Sequence, residues 1–429
     1  MKRRSTKRLA ALAAAGLAGA GLVGCSAPHG TSSTGGNKTG TLIWYVNKTA
    51  TLTPAVYQKV ADGFTRTHPG VKVRIINQGG QGTGPYFQTL ISSGNSPDVG
   101  TGIAITPQNA KDFVNLAGQA WARQAAAKNP LIRDYEINKG IYSTPAGYQI
   151  QDLIFYNKKL FAKAHIAAVP TTYSALTSDM AKLAKLGVTP MADSGSFIAG
   201  SQVMAMALST IYQHNLLWEK DKSAGRVSFA HGPWQQAMQI YRQWIQKGYI
   251  DKGAVALQYN TVDNDFLQGK YGMYLVASWF TGNIAQTPPP FPVGVFSVPT
   301  LDGKTPAPQA VVAAFNWEIP TAAKHRTLAE EFVHYLSTNQ KQAIAPLVKA
   351  DGDFTQKPLY HLDSVGQAIQ KIASQTKVEG VPGGGENVEP NGFATYMDQV
   401  VQGLWGGKSA AEVAHELDTW WNSNKGSSS

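Results

Sequence analysis

The fold class is decided by residues 41–76, which read TLIWYVNKTATLTPAVYQKVADGFTRTHPGVKVRII. The stretch opens with a β-prone run at 41–46 and closes with a second one at 71–76. Between them, residues 53–68 carry apolar side chains at every fourth position, which is typical of an amphipathic helix, and Pro69-Gly70 ends it. This β-α-β unit predicts a mostly parallel sheet with helices on both faces, and therefore an α/β protein.

The same alternation continues toward the C-terminus. Further strands are predicted at 97–99, 153–157, 271–276 and 291–298. Further helices are predicted at 86–91, 159–165, 173–186, 198–212, 233–246, 262–268, 328–336 and 410–422. Hydrophobic residues make up 43% of the 429 residues, which is enough for a large core. A chain of this length suits about two to four domains or one large two-lobed unit.

The N-terminus has the features of an export signal. Residues 1–8 are basic, and residues 9–22 form an apolar run shorter than the roughly 20 residues that a membrane-spanning helix needs. The run ends at Leu22-Val23-Gly24-Cys25, which resembles the bacterial lipobox, in which the cysteine is lipidated. We predict that residues 1–24 are a lipoprotein signal peptide and that Cys25 carries a membrane anchor. An ordinary signal peptide with a chance cysteine is the alternative.

The segments next to this signal and at the far end of the chain lack apolar periodicity. Residues 25–40 are rich in Gly, Ser and Thr and are predicted to be a flexible tether. Residues 423–429 are predicted to be a disordered tail. Cys25 is the single cysteine, so the chain has no intrachain disulfide and no cysteine-cluster metal site.

The charge of the chain gives little support to nucleic-acid binding. The formal net charge is +11, but five positive charges lie within the first eight residues. Without them the net charge is +6, and no later stretch holds a comparable basic run. The nine histidines are dispersed, without the spacing of metal ligands, so the sequence predicts no metal and no cofactor.

The motifs of common enzymes are absent from the sequence. Residues 79–84, GGQGTG, do not have the GxGxxG spacing of a dinucleotide site. Gly406-Gly407-Lys408-Ser409 resembles the end of a P-loop, but Gln402 stands where its first glycine would be. A hydrolase that uses two paired carboxylates remains an alternative function, because the separation of two acidic residues in the sequence does not fix their distance in the fold.

Several short motifs together resemble one family. They are, in chain order, FTRTHPGVKV at 64–73, SPDV at 96–99, LIFYNKKLF at 153–161, PTTY at 170–173, GKYGM at 269–273, ASW at 277–279 and GKSAAE at 407–412. This order, downstream of a lipobox, is similar to that of the family 1 extracellular solute-binding proteins of ABC importers. The resemblance spans residues 41–422 and is strongest to the carbohydrate-binding group that includes maltodextrin-binding protein.

The resemblance implies a two-lobed periplasmic-binding-protein fold of type II, with discontinuous lobes, a hinge and a ligand cleft between them. Lobe 1 is predicted at 41–149 plus 298–345, and lobe 2 at 150–297 plus 346–422. The family's function would be to capture a sugar or oligosaccharide in the cleft and deliver it to the ABC permease subunits by hinge closure. We expect a monomer without enzymatic activity, held at the outer face of the bacterial membrane.

The resemblance also suggests which residues contact the ligand. Trp279 stands at the family's stacking tryptophan, although Ala277 replaces a glycine of the motif. Asp98 is expected either to accept from sugar hydroxyls or to cap the next segment, and Trp44 either to contact ligand or to be core. One of Tyr148 and Gln151 is expected to face the cleft. The other candidate contacts are Asn47, Lys48, Phe197, Asn316, Trp317, Glu386 and Asn387.

Two alternatives to sugar import remain open. The same fold could bind a non-sugar solute such as an amino acid, a polyamine or a phosphate ester. Less favoured is a surface-anchored glycan hydrolase, for which no placed nucleophile or acid–base pair is evident.

Overall fold

The structure of the protein is a computed structural model. It describes residues 39–77, 83–128, 136–303, 311–355, 357–375, 388–390 and 392–425. The predicted signal peptide and Cys25 lie outside these residues. Within them, no helix combines the length and apolar character that crossing a membrane requires.

Strands and helices alternate through the described chain. The strands are β1 Gly40–Tyr45, β2 Val71–Ile76, β3 Gly100–Thr101, β4 Glu136–Ile137, β5 Gly140–Ile141, β6 Ala146–Ile150, β7 Leu153–Asn157, β8 Thr189–Ala192, β9 Tyr271–Leu275, β10 Val293–Ser297, β11 Val311–Phe315 and β12 Trp317–Glu318. The helices are α1 Pro54–Thr65, α2 Thr83–Ser92, α3 Ala120–Lys128, α4 Lys158–Lys163, α5 Tyr173–Lys185, α6 Phe197–His214, α7 Trp218–Ser223, α8 Pro233–Gln246, α9 Tyr259–Leu267, α10 Phe280–Gln286, α11 Arg326–Thr338, α12 Ala345–Asp351, α13 Ser364–Ser374, α14 Phe393–Val401 and α15 Ala410–Asn424.

The opening β-α-β unit forms as its sequence predicts. Strands β1 and β2 pair in parallel, from Gly40 opposite Val71 to Tyr45 opposite Ile76. Pro54 stands in the first turn of α1, where its missing N–H costs no helical hydrogen bond. The helix buries Val60 and Phe64, two of the residues whose spacing predicted it.

The prediction of a mostly parallel sheet is wrong for the strands that follow. A four-stranded sheet has the order β10-β7-β9-β8, and only β8 and β9 run parallel in it. Strands β10 and β9 both lie antiparallel to β7, as β11 does to β6 and β12 to β3. The antiparallel partners come from segments far apart in the chain, and local periodicity does not record the direction in which a distant segment returns.

Buried apolar side chains form several clusters that divide the chain. Two clusters contain only residues from 42–146 and 315–348, and two others contain only residues from 150–298 and 354–421. The chain therefore passes between the two groups three times. We call residues 146–150 the first crossover, 298–315 the second and 348–354 the third.

The third crossover lies later than the predicted lobe boundary at residue 346. That residue is inside α12, whose Leu347 and Val348 are fully buried in the first group of clusters. Because Leu347 and Val348 are buried in the first group of clusters, α12 packs against that core along its length. The chain leaves this core only after Asp351, where the helix ends.

Candidate ligand site

Three half-buried aromatic rings meet next to the first crossover. The ring centroid of Trp279 lies 6.4 Å from that of Phe197 and 6.5 Å from that of Tyr259, which stands perpendicular to it. Phe197 and Tyr259 are 5.2 Å apart. None of the three rings is completely enclosed, so the group can offer apolar ring surface to a ligand.

Each ring is placed by the start of a helix. Phe197 is the first residue of α6, Tyr259 is the first of α9, and Trp279 is the N-cap of α10. None of these helices has a side-chain hydrogen bond at its N-cap. The N–H groups in the first turns of α6 and α9 therefore have no side-chain acceptor at the N-cap.

Two hydrogen bonds between Ile150 and Ser278 fix this group to the first crossover. Ser278 N donates to Ile150 O at 2.8 Å, and Ile150 N donates to the Ser278 hydroxyl at 3.1 Å. Trp279 follows directly, so its ring is held beside β6. Gln149 and Gln151, on either side of Ile150, are half-buried and linked by a side-chain hydrogen bond of 3.4 Å.

The polar side of the site continues to the third crossover. Asp351 accepts hydrogen bonds from Thr51 Oγ1 at 2.9 Å and from Gln149 Nε2 at 3.3 Å. Burial, followed by the Asp263 and Asp351 carboxylates, raises the pKa of Tyr259. The Tyr259 hydroxyl is thus close enough to Asp351, which links the first and third crossovers, to be affected by its negative charge.

Three predicted contacts have internal structural roles in place of ligand contacts. Trp44 is fully buried, and its indole N–H donates to Thr101 Oγ1 at 2.8 Å. Trp317 is fully buried and stacked 6.3 Å from Phe315. These tryptophans are core residues because no ring face is left for a ligand.

Asp98 is the third of these residues. It is 1% exposed and accepts from Ile43 N at 2.8 Å and from His325 N at 2.9 Å. Its carboxylate joins β1 to the start of α11, which is closer to the capping role than to the sugar contact of the two roles expected for it.

The remaining predicted residues differ in their surroundings. Asn47 and Lys48 are exposed on the loop after β1, and Asn47 O accepts from Tyr57 Oη at 2.7 Å. Tyr148 and Asn316 are half-buried. Glu386 and Asn387 lie outside the described residues. As ligand contacts, these residues remain predictions.

Sequence reasoning missed Tyr259, Gln149 and the aspartates of the third crossover. The helix that carries Tyr259 was predicted to start three residues later, at 262, so its first residue was not considered. Asp351-Gly352-Asp353 was detectable as a helix end with glycine next to a predicted boundary. Nothing in the sequence indicated that these carboxyl groups are buried together.

The described residues hold no group of His, Cys, Asp and Glu side chains that could bind a metal ion. Residues 49–343 match the family of the bacterial extracellular solute-binding protein. The chain belongs to this family. The resemblance predicted from the sequence is thereby confirmed. This solute-binding protein is a non-enzymatic component of ABC transport and acts outside the cell.

The solute-binding protein has relatives of similar length. It is 26% identical over 308 residues to the multiple sugar-binding protein of Streptococcus mutans, covering 66% of this chain and 68% of the relative. It is 25% identical over 369 residues to the diacetylchitobiose binding protein DasA of Streptomyces coelicolor, covering 82% of each. A solved chitin oligosaccharide binding protein aligns with a TM-score of 0.75 at 19% identity, over 91% of this chain and 100% of that chain. This likeness confirms the predicted α/β periplasmic-binding-protein fold.

Proposed function

We propose that this protein captures a sugar or oligosaccharide in a cleft between two lobes and delivers it to an ABC permease by hinge closure. The observation that carries the proposal is the aromatic group of Trp279, Phe197 and Tyr259 beside the half-buried amides of Gln149 and Gln151. The names of relatives that bind multiple sugars, diacetylchitobiose and chitin oligosaccharides support the same ligand class.

The chemistry of the site suits a pyranose. A pyranose has an apolar face of C–H groups, which an indole or phenol ring can cover. Its rim of hydroxyls must be hydrogen-bonded when water is removed, since an unpaired buried hydroxyl is costly. Trp279 supplies the ring, and Gln151, with Asn47 and Lys48 on the loop after β1, supplies donors and acceptors for the rim.

The two lobes are proposed to divide at the three crossovers. Lobe 1 would contain residues 41–146 and 315–348, and lobe 2 residues 150–298 and 354–422. Closure would then be a rotation about the three crossovers, driven by the ligand's contacts with both lobes. Exposed Lys48 on the lobe 1 side and Trp279 on the lobe 2 side would approach the ligand from opposite directions.

The protein is also proposed to be lipid-anchored at the outer face of the membrane through Cys25, as a monomer. The lipobox-like Leu22-Val23-Gly24-Cys25 supports the anchor, and the Gly/Ser/Thr-rich residues after it would give the receptor reach. One acyl group gives weak membrane binding, so more than one chain on this cysteine is expected.

A calorimetric screen tests the ligand class. Raffinose, diacetylchitobiose, longer chitin oligosaccharides and maltodextrins would be titrated into the purified protein, with a panel of amino acids as the control set. We expect saturable heat and thermal stabilisation with at least one sugar, and no turnover. Binding of amino acids without response to any sugar would replace the carbohydrate assignment with the non-sugar alternative.

A further inference from the structure

The first and third crossovers meet at a pair of buried carboxyl groups. Asp351 ends α12, and Asp353 follows two residues later. Gln149 of the first crossover and Thr51 of the loop between β1 and α1 donate to the two oxygens of Asp351. Tyr148 and Phe354 pair through their backbones next to this contact. Three separate stretches of the chain therefore converge on the Asp351/Asp353 pair.

No positive charge compensates this pair. Among the described residues, neither carboxylate forms an ion pair with a Lys, Arg or His side chain. The basic residues on the stretches of chain that reach this pair are all exposed, namely Lys48, Lys349, Lys357 and His361. The titratable groups that face the pair are phenols, from Tyr57 of α1, Tyr259 of α9 and Tyr360 beyond α12.

These phenols are neutral, because burial and the nearby carboxylates raise the pKa of each above its usual value. Their hydroxyls are in part already committed. Tyr57 Oη donates to Asn47 O at 2.7 Å, and Tyr360 Oη donates to the backbone oxygen of Asp353 at 2.8 Å. The surroundings thus offer the pair neither a cation nor these two phenolic protons.

The pair is consequently stable with one proton. Asp353 is fully buried, and no described residue gives either of its oxygens a hydrogen bond of normal geometry. Burial raises the pKa of Asp351, and burial together with the Asp351 carboxylate raises the pKa of Asp353 well above its usual range. Since Asp351 already accepts two hydrogen bonds, the proton belongs on Asp353.

We propose that the Asp351/Asp353 pair makes the hinge sensitive to protons: the first and third crossovers stay paired while the pair holds one proton, and the pairing loosens when that proton is lost to water. The reason is that two adjacent carboxylates without a cation are stable only where water can reach them. The consequence for ligand capture rests on the proposed function, in which hinge closure retains the sugar. Capture then takes up a proton, so acidic surroundings favour retention and alkaline surroundings favour release.

Hydrogen exchange of the purified, ligand-free protein tests the hinge directly. The exchange of residues 146–150 and 348–354 would be followed by mass spectrometry from about pH 5 to about pH 8, corrected for the intrinsic pH dependence of exchange. We expect protection of these segments to fall by up to about tenfold per pH unit over the range in which the paired form holds the proton and the loosened form has lost it. Asp353→Asn leaves only Asp351 to titrate, so the fall in protection over this range should be clearly smaller than in the wild type.

Asp263→Asn is the matched control. Asp263 is also a buried aspartate, and burial raises its pKa to about 7, but its partners Tyr274 and Asn283 both lie within residues 150–298 and not at a crossover. This variant should keep the pH dependence of the wild type in both crossovers. Asp351→Asn removes one of the two causes that raise the pKa of Asp353, so it should also weaken the pH dependence, and it provides a second test should Asp353→Asn fold poorly. Crossover protection without pH dependence in the wild type, or equal dependence in Asp353→Asn, would overturn the proposal.

Calorimetry separates this proposal from the proposed function. With raffinose or diacetylchitobiose as the probe, titration in buffers of different ionisation enthalpy should show uptake of up to about one proton per bound sugar, and clearly less in Asp353→Asn, where only Asp351 can titrate. Sugar binding without proton uptake in the wild type would overturn the coupling and leave the sugar assignment intact. Absence of binding to every sugar would overturn the sugar assignment, while hydrogen exchange would still decide the hinge.

Discussion

Tyr148 and Phe354 exchange two backbone hydrogen bonds, with N···O distances of 2.8 and 3.0 Å. Tyr148 belongs to β6 in the first crossover, and Phe354 ends the third crossover. Their pairing holds two of the three connecting segments side by side, next to the aromatic group and the Asp351/Asp353 pair. The proposed hinge and the proposed ligand site therefore share residues, which is the arrangement needed for a ligand to bias a hinge motion.

Gly352 should not tolerate a side chain. Its φ is +74°, and a Cβ there would collide with Thr281 Oγ1 and with Gly282 N at the start of α10. We expect Gly352→Ala to lower the free energy of unfolding by several times the roughly 1 kcal/mol that positive φ alone costs. Gly248→Ala is the control, since its φ is +71° and no atom lies within 4 Å of the added Cβ. Equal losses of stability in chemical denaturation would show that the contact with α10 is unimportant.

Trp279 should contribute to affinity through its ring. We expect Trp279→Ala to weaken sugar binding by about 1–3 kcal/mol, and Trp279→Phe to weaken it less, because a smaller ring still covers part of a pyranose face. Isothermal calorimetry with the best sugar of the screen would measure this. Trp420→Ala is the control, because Trp420 is also half-buried but stacks on Tyr396 in the packing of α14 and α15. An unchanged affinity in Trp279→Ala would remove this residue from the site.

Asp193 should make stability depend on pH. It accepts hydrogen bonds from the Tyr241 hydroxyl and from Ser194 N, and burial raises its pKa to about 8. Because the folded state holds this proton more tightly than the unfolded state, the stabilisation is complete below about pH 4 and is lost as the pH rises to about 8.

Asp193→Asn should therefore flatten the dependence of unfolding free energy on pH over this window. Relative to the wild type, the free energy of unfolding of the variant should rise by on the order of a few kcal/mol from about pH 4 to about pH 8. The variant is therefore favoured at the alkaline end. An amide can still accept from Ser194 N and donate to the Tyr241 oxygen, so the comparison isolates the charge. Parallel stability curves would mean that Asp193 does not titrate in the folded protein.

Lys222 should be important for holding α7 to the last helix. Its side chain is 2% exposed, and its ammonium lies 3.2 Å from Asp418 Oδ1 and donates to Asn422 Oδ1 at 3.1 Å. We expect Lys222→Met to lower the free energy of unfolding by about 3–5 kcal/mol, because Asp418 is left partly buried without its cation. Lys182→Met, in the more exposed pair with Asp179, should cost less than about 1 kcal/mol. Similar melting temperatures for both variants would contradict this.

Cys25 should determine where the protein is found. If it carries the lipid, Cys25→Ser should move the exported protein from the membrane fraction to the soluble fraction outside the cell, without changing its thermal stability. Cell fractionation with immunoblotting would measure this, and metabolic labelling with a fatty acid would detect the lipid. A variant that stays in the membrane fraction after export would favour an anchor elsewhere.

The resemblance of short motifs predicted part of the candidate site. Trp279 and Phe197 lie together, because both follow strands of the same sheet and strand ends converge in space. Trp44, Asp98 and Trp317 look equally suitable in the sequence, yet they are buried. Residue type alone does not distinguish a ring or carboxylate that faces a cleft from one that faces a core, because both environments select the same chemistry.

The sequence by itself determined the helices and strands with strong periodicity, the family and the lone cysteine at a lipobox-like site. These features depend on residues that are close to one another in the sequence, so a local sequence pattern is enough to predict them. Only the tertiary structure decided the antiparallel pairings, the third crossover after Asp351 and the burial of Asp353 beside it. Those depend on which distant segment fills the remaining space and on whether water is excluded there, and both follow from packing the whole chain.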